Sequence, residues 1–168
     1  MAIPSFFFLG GERYGWVPSP EDVGPELAAR YEWVQGASVT AMELMHGALR
    51  CRNPNAVFCL RDPSFAHAMV RQKPDCAADF VGESGSSERS SILRDLISNT
   101  MSSDAVITYN PLSSASSSME PNWSDFIQRV TSAVRGCVER QYPLLPAPPP
   151  GNADWYKSTG FNGTKVQY

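Results

Sequence analysis

Two short charged segments each follow an apolar run, and each could do chemistry. Glu12-Arg13-Tyr14 comes after Phe6 to Leu9 and the pair Gly10-Gly11, and Arg61-Asp62 comes after Ala56 to Leu60. If the apolar runs are parallel strands, both segments fall at the carboxyl edge of the sheet, where open α/β domains bind ligands. A Gly-Gly step after a strand can open a phosphate-binding loop, form the working edge of an α/β enzyme, or make a structural turn. The first option needs G-x-G-x-x-G spacing and a helix beginning at once, and neither is present; G-x-x-x-x-G-K-[ST] is also missing from the chain. The residues favour a tight turn whose glycines take conformations other residues resist. Glu12, Arg13, Tyr14, Arg61 and Asp62 are therefore the binding candidates, with Ser38 at the start of the following helix. The plainer reading of Arg61-Asp62 is an ion pair closing a loop.

Glu43 is the remaining carboxylate of interest. By its position it either caps its helix from the first turn or pairs with Arg13 across the sheet edge. Cys51, Cys76, His46 and His67 could gather round zinc, but none has the spacing of a metal site, so no metal is expected. No C-x-x-C pair occurs among Cys51, Cys59, Cys76 and Cys137, and all four are expected as free thiols. The N-x-[ST] matches at Asn122 and Asn162 carry meaning only in a secreted protein.

The elements that must position these residues alternate. Residues 5–9 read as a short apolar strand of the kind buried on both faces of a parallel sheet, residues 56–60 as a second continuous apolar strand and residues 105–109 as a third strand. Pro63 prevents the second from continuing as a central strand. Between the first two, residues 26–33 form a short helical turn. Ser38 or Thr40 then caps a helix of about three turns, in which Val39, Met42, Met45 or His46, and Leu49 recur at helical spacing. Residues 64–87 are weakly patterned. Ile92, Leu93, Leu96 and Ile97 mark a second amphipathic helix, and residues 113–118 read as a flexible serine-rich loop. The final helix, residues 122–141, carries Trp123, Phe126, Ile127, Val130, Val134, Cys137 and Val138 on one stripe, with Asn122 as its cap.

The order β, α, β, α, β implies a mostly parallel, doubly wound sheet with flanking helices, of flavodoxin or Toll/interleukin-1-receptor type. The 168 residues divide into an α/β domain over 1–142, a proline-rich linker over 143–151 and a tail, 152–168, expected not to pack on the domain. A net charge of -3 with no block of like charge argues against a nucleic-acid or membrane surface. The apolar start has no basic n-region and no small-residue cleavage pattern, so the expected location is the cytoplasm.

Three ordered motifs carry a resemblance: Gly11-Glu12-Arg13-Tyr14-Gly15-Trp16-Val17-Pro18, Ser38-Val39-Thr40-Ala41-Met42-Glu43-Leu44 and Leu60-Arg61-Asp62-Pro63. They resemble the second half of the uncharacterised α/β domain near the front of telomerase protein component 1, nephrocystin-3 and the NACHT and WD-repeat proteins. The resemblance implies a non-catalytic regulatory or protein-interaction domain of a signal-transduction NTPase bearing WD or tetratricopeptide repeats. Its partners would be proteins or other domains of the parent chain, and a ribonucleoprotein only in a telomerase protein component 1-like parent. The family's opening strand and helix have no counterpart here, so the resemblance implies a fragment with a partial sheet of about three strands. The domain type is also similar to Toll/interleukin-1 receptor domains that cleave nicotinamide dinucleotide (NAD). That similarity implies an alternative, a glycohydrolase using Glu43 to stabilise an oxocarbenium-like ribose, and only under it is a cofactor, NAD, expected. The family's helix-start glutamate is Ala41 here, which leaves Glu43 alone.

Overall fold

Phe6–Gly10 (β1), Ala56–Arg61 (β2) and Val106–Tyr109 (β3) form one parallel sheet in the order β1-β2-β3. The computed structural model describes residues 4–82, 85–112 and 122–143. The linker and tail expected beyond residue 143, and the loop expected over 113–118, lie outside the described residues. Registers pair Phe8 with Phe58 and Leu60 with Thr108, so β2 is the central strand and is buried from Ala56 to Leu60. The fold is α/β, with helices on both faces of a three-stranded parallel sheet as in flavodoxin-type and Toll/interleukin-1-receptor-type domains.

Side-chain alternation along the strands divides the core in two. Phe6, Phe8, Ala56, Phe58 and Leu60 face one side, where they meet Leu44, Ala48, Leu49, Leu93 and Ile97. Before β3 the chain forms the helices Pro25–Arg30 (α1), Val39–Leu44 (α2), Pro63–Gln72 (α3), Ala77–Phe80 (α4) and Ser86–Thr100 (α5). Of these, α2 and α5 supply the core contacts of that face. Phe58 is fully buried, contributing roughly 1.5–3 kcal/mol before entropy. On the other side Val57, Cys59, Ile107 and Tyr109 pack against Phe126, Val130, Ala133 and Cys137 of the helix Ser124–Gln141 (α6).

Local chemistry sets the helix boundaries. Ser38 caps α2, its Oγ accepting from the Ala41 N–H at 3.2 Å. The helix then loosens into a single π turn over Met45–Leu49, where Gly47 leaves room for the Phe6 ring; a Cβ there would sit 2.7 Å from it. Asn53 ties this turn to the sheet, donating to the carbonyls of Pro4 (2.9 Å) and Gly47 (3.1 Å) and accepting from the Asn55 N–H. Pro63 begins α3 at the position where a missing N–H costs nothing. Asn122 accepts from the Ser124 N–H at the start of α6.

Four expectations need correction. Residues 63–80, weakly patterned in sequence, form α3, a 3₁₀ turn over Pro74–Cys76 and α4. Their apolar face is built largely of alanine and single bulky residues such as Phe65. On α5 the buried face carries Ser90, Leu93 and Ile97, while Ile92 and Leu96 point to solvent. β1 is covered on one face only: Phe7 is 52% and Leu9 is 60% exposed, because α6 lies over β2 and β3 rather than over β1. The same placement leaves Ile127, Val134 and Val138, on the outer half of the α6 stripe, exposed.

Candidate functional site

The carboxyl ends of all three strands open into one cavity of about 330 Å³. β1 contributes Phe8 to Gly10, the loop after it Gly11 to Tyr14, β2 Leu60 and Arg61, and β3 Tyr109; Thr40 and the inner face of α5 close the walls. Glu12, Arg13, Tyr14 and Arg61 meet here, and Arg94, which sequence reasoning passed over, joins them.

Arg61 and Glu12 form the central ion pair, with 20% and 11% of their side chains exposed. Both Nε, at 3.1 Å, and Nη2 of Arg61 donate to the same carboxylate oxygen, Oε2. The other oxygen of Glu12, Oε1, is buried and has no hydrogen-bond partner. The rings of Phe65 and Phe80 flank the Arg61 guanidinium at 5.3 and 5.6 Å, which holds its plane in place. A loop-closing pair between Arg61 and Asp62 does not form, because Arg61 turns into the cavity and Asp62 turns to the next helix.

The glycine pair acts through space rather than through unusual dihedral angles. Neither Gly10 nor Gly11 has a positive φ, which corrects the expectation drawn from their flexibility; Gly15, at φ 94°, is the left-handed residue of this loop. A Cβ on Gly11 would lie 2.8 Å from Arg61 Nη2, and one on Gly10 would lie 2.6 Å from the Phe8 ring. Gly11 thus makes room for the guanidinium that holds Glu12. Its carbonyl accepts from Ser90 Oγ at 3.1 Å, and the Tyr14 N–H donates to Ser86 Oγ at 3.0 Å. Two serines of α5 therefore hold the loop.

Arg94 lines the cavity from α5, and its Nη1 is buried without a hydrogen-bond partner. Its sequence signal was legible: Ser90, Leu93, Arg94 and Ile97 share the i, i+3, i+4, i+7 face that turns inward, and one of the four is a cation. The Tyr109 phenol is raised above its ordinary value, by burial first, with Arg61 and Arg94 acting against the rise.

Asp62 and Ser38 serve structure. The Asp62 carboxylate accepts from the Ser64 N–H at 2.8 Å and caps α3, and these bonds to Ser64 hold its pKa below the ordinary carboxylate value. Asn110 donates to Ser64 Oγ at 2.7 Å, joining the end of β3 to the same cap. Ser38 is fully buried as the cap of α2. Glu43 is exposed on α2, does not line the carboxyl-edge cavity and, among the described residues, makes no ion pair with Arg13. Neither expected local role, capping or pairing with Arg13, is formed.

Among the described residues no group of three or more His, Cys, Asp or Glu is placed to hold a metal ion, and no helix is long and apolar enough to cross a membrane. The four cysteines are free thiols, and burial pushes the Cys59 thiol up to about 11. Comparison of the chain with protein-family models, with curated proteins and with solved structures found no match. The site is therefore judged on its own geometry.

A second feature lies on the opposite face of the sheet. Phe7, Val130, Val134 and Val138 line an apolar groove of about 400 Å³ between β1 and α6. β1 is an edge strand of the sheet, and among the described residues it pairs with β2 alone. No residue lines both the groove and the carboxyl-edge cavity.

Proposed function

We propose that this chain is a non-catalytic regulatory and protein-interaction domain, of the kind found in telomerase protein component 1-like and nephrocystin-3-like scaffolds. The observation that supports this reading most is the uncovered strip of Phe7, Leu9, Ile127, Val134 and Val138 beside the edge of β1 that, among the described residues, pairs with no strand. A strand edge offers a row of backbone donors and acceptors, and an apolar groove next to it offers burial. Together they fit a polypeptide partner that adds a strand to β1 and lays an amphipathic helix over Phe7 and Val134. The partner is then another protein or another domain of a parent chain, and the working compartment is the cytoplasm.

The test is light scattering over a concentration series, on the wild type and on a Phe7→Lys/Val134→Glu variant. A wild type that associates with itself as concentration rises, through the strip intended for a partner, and a variant that stays monomeric at equal helix content would support the reading. Equal mass for both proteins at every concentration would overturn it.

A further inference from the structure

Two side chains that line the carboxyl-edge cavity each carry a buried polar atom without a partner, and the two are of opposite appetite. Arg94 Nη1 is a donor without an acceptor, and Glu12 Oε1 is an acceptor without a donor. Leaving such atoms unpaired costs stability, and both belong to side chains that line a cavity at the ligand-binding edge of a parallel sheet, where a small side-chain shift lets a guest satisfy them. Three arginines, Arg13, Arg61 and Arg94, line the space against one carboxylate, Glu12. The ligand these groups complement carries about two negative charges at one end and a hydroxyl at the other.

We propose that the cavity binds a small phosphate monoester of a hydroxylated carbon skeleton, a pentose phosphate in size. The phosphate, at roughly -1.5 to -2 near neutral pH, balances the excess positive charge and accepts from Arg94 Nη1 and from Arg13. A ligand hydroxyl donates to Glu12 Oε1, whose partner oxygen is already held by Arg61. The Arg61 pair thus fixes the carboxylate while leaving one oxygen for recognition. A cavity of about 330 Å³ is at the small end of ligand sites (roughly 300–1,000 Å³), which suits a single sugar phosphate and excludes a whole dinucleotide. The site shares no lining residue with the apolar groove, so it stands or falls separately from the protein-interaction reading.

Calorimetric titration and thermal melting of the full chain test this with three probes: ribose 5-phosphate, inorganic phosphate and ribose. The expected result is saturable one-to-one binding of ribose 5-phosphate with a Tm that rises with ligand concentration, weaker binding of phosphate and none of ribose. Arg94→Met removes an unpaired donor, so the free protein should melt no lower than the wild type while ribose 5-phosphate binds about tenfold weaker or worse, the loss of one charge-assisted hydrogen bond. Glu12→Gln should weaken ribose 5-phosphate and leave inorganic phosphate unchanged. If Arg94→Met fails to fold, Arg94→Lys, which keeps the charge and loses the fork, should show the same weakening. Absence of ribose 5-phosphate binding at millimolar concentration overturns the proposal, as does undiminished binding by whichever Arg94 variant folds. Phosphate binding as tightly as ribose 5-phosphate to the wild type overturns the role given to Glu12.

Discussion

Replacing Arg61 by methionine should expose how much of the sheet edge depends on one ion pair. Methionine keeps much of the apolar stem, so the change removes the two N–H groups donated to Glu12 Oε2 together with the charge held between the Phe65 and Phe80 rings. Glu12 is then a carboxylate with 11% of its side chain exposed and neither oxygen satisfied. Breaking a fully buried pair from one side costs about 3–5 kcal/mol. Water entering the cavity beside Glu12 reduces this, and about 2–3 kcal/mol is expected. Glu12→Leu alone should cost a comparable amount, since it strands the guanidinium instead. The double variant Arg61→Met/Glu12→Leu removes both charges together and should lie within about 1 kcal/mol of the wild type, because an apolar pair often replaces a buried ion pair without loss. Urea unfolding of the four proteins, followed by far-ultraviolet circular dichroism, gives the coupling energy, expected at about 3 kcal/mol or more. Singles that each cost under about 0.5 kcal/mol, or costs that simply add in the double variant, would show the pair to behave as an exposed surface bridge. The argument from its burial would then fail.

Asp62→Ala should lose the α3 cap at a cost of about 0.5–2 kcal/mol at neutral pH. Because the native carboxyl is held below its ordinary value of 3.8, its contribution is present above that value and fades as pH falls through the lower native one. The gap between wild type and variant in urea midpoint should therefore narrow below about pH 4. Cys51 is exposed, whereas Cys59 is buried and pushed up to about 11. A thiol reagent at pH 8 should label Cys51 in the native protein and Cys59 only after unfolding; equal rates would contradict the burial of β2. Incubation with NAD should release no nicotinamide, and Glu43→Ala should change nothing; release that Glu43→Ala abolishes would favour the glycohydrolase alternative.

Much of the sheet was legible because its strands are uninterrupted apolar runs closed by Gly10, by Arg61-Asp62-Pro63 and by Asn110-Pro111. A strand buried on both faces leaves no other reading for Val57-Phe58-Cys59-Leu60. The α2 cap was legible for the same local reason: one serine in front of a periodic segment. What escaped depends on distance. The Arg61–Glu12 pair joins residues 49 positions apart, and no window of sequence contains both. Asp62 and Arg61 are neighbours in sequence and look like partners, but Asp62 lies beyond the strand and its carboxylate is taken by the Ser64 N–H as the cap of α3. The coverage of β1 was misjudged because an apolar run states that a face can be buried, not that something is there to bury it. On α6 the stripe was correctly located and its width exceeded the surface it meets.

The strand order follows the chain order, and this bears on how the protein is made. Each strand docks on the one synthesised just before it, so the sheet can grow in step with a ribosome, with no early strand waiting for a distant late one. The exception is the face formed by Val57, Cys59 and Ile107, which is sealed only when α6, residues 124–141, has emerged. Until then a nearly finished sheet presents one bare apolar side, and a pause in translation before residue 124 would hold the nascent chain in the form most attractive to chaperones.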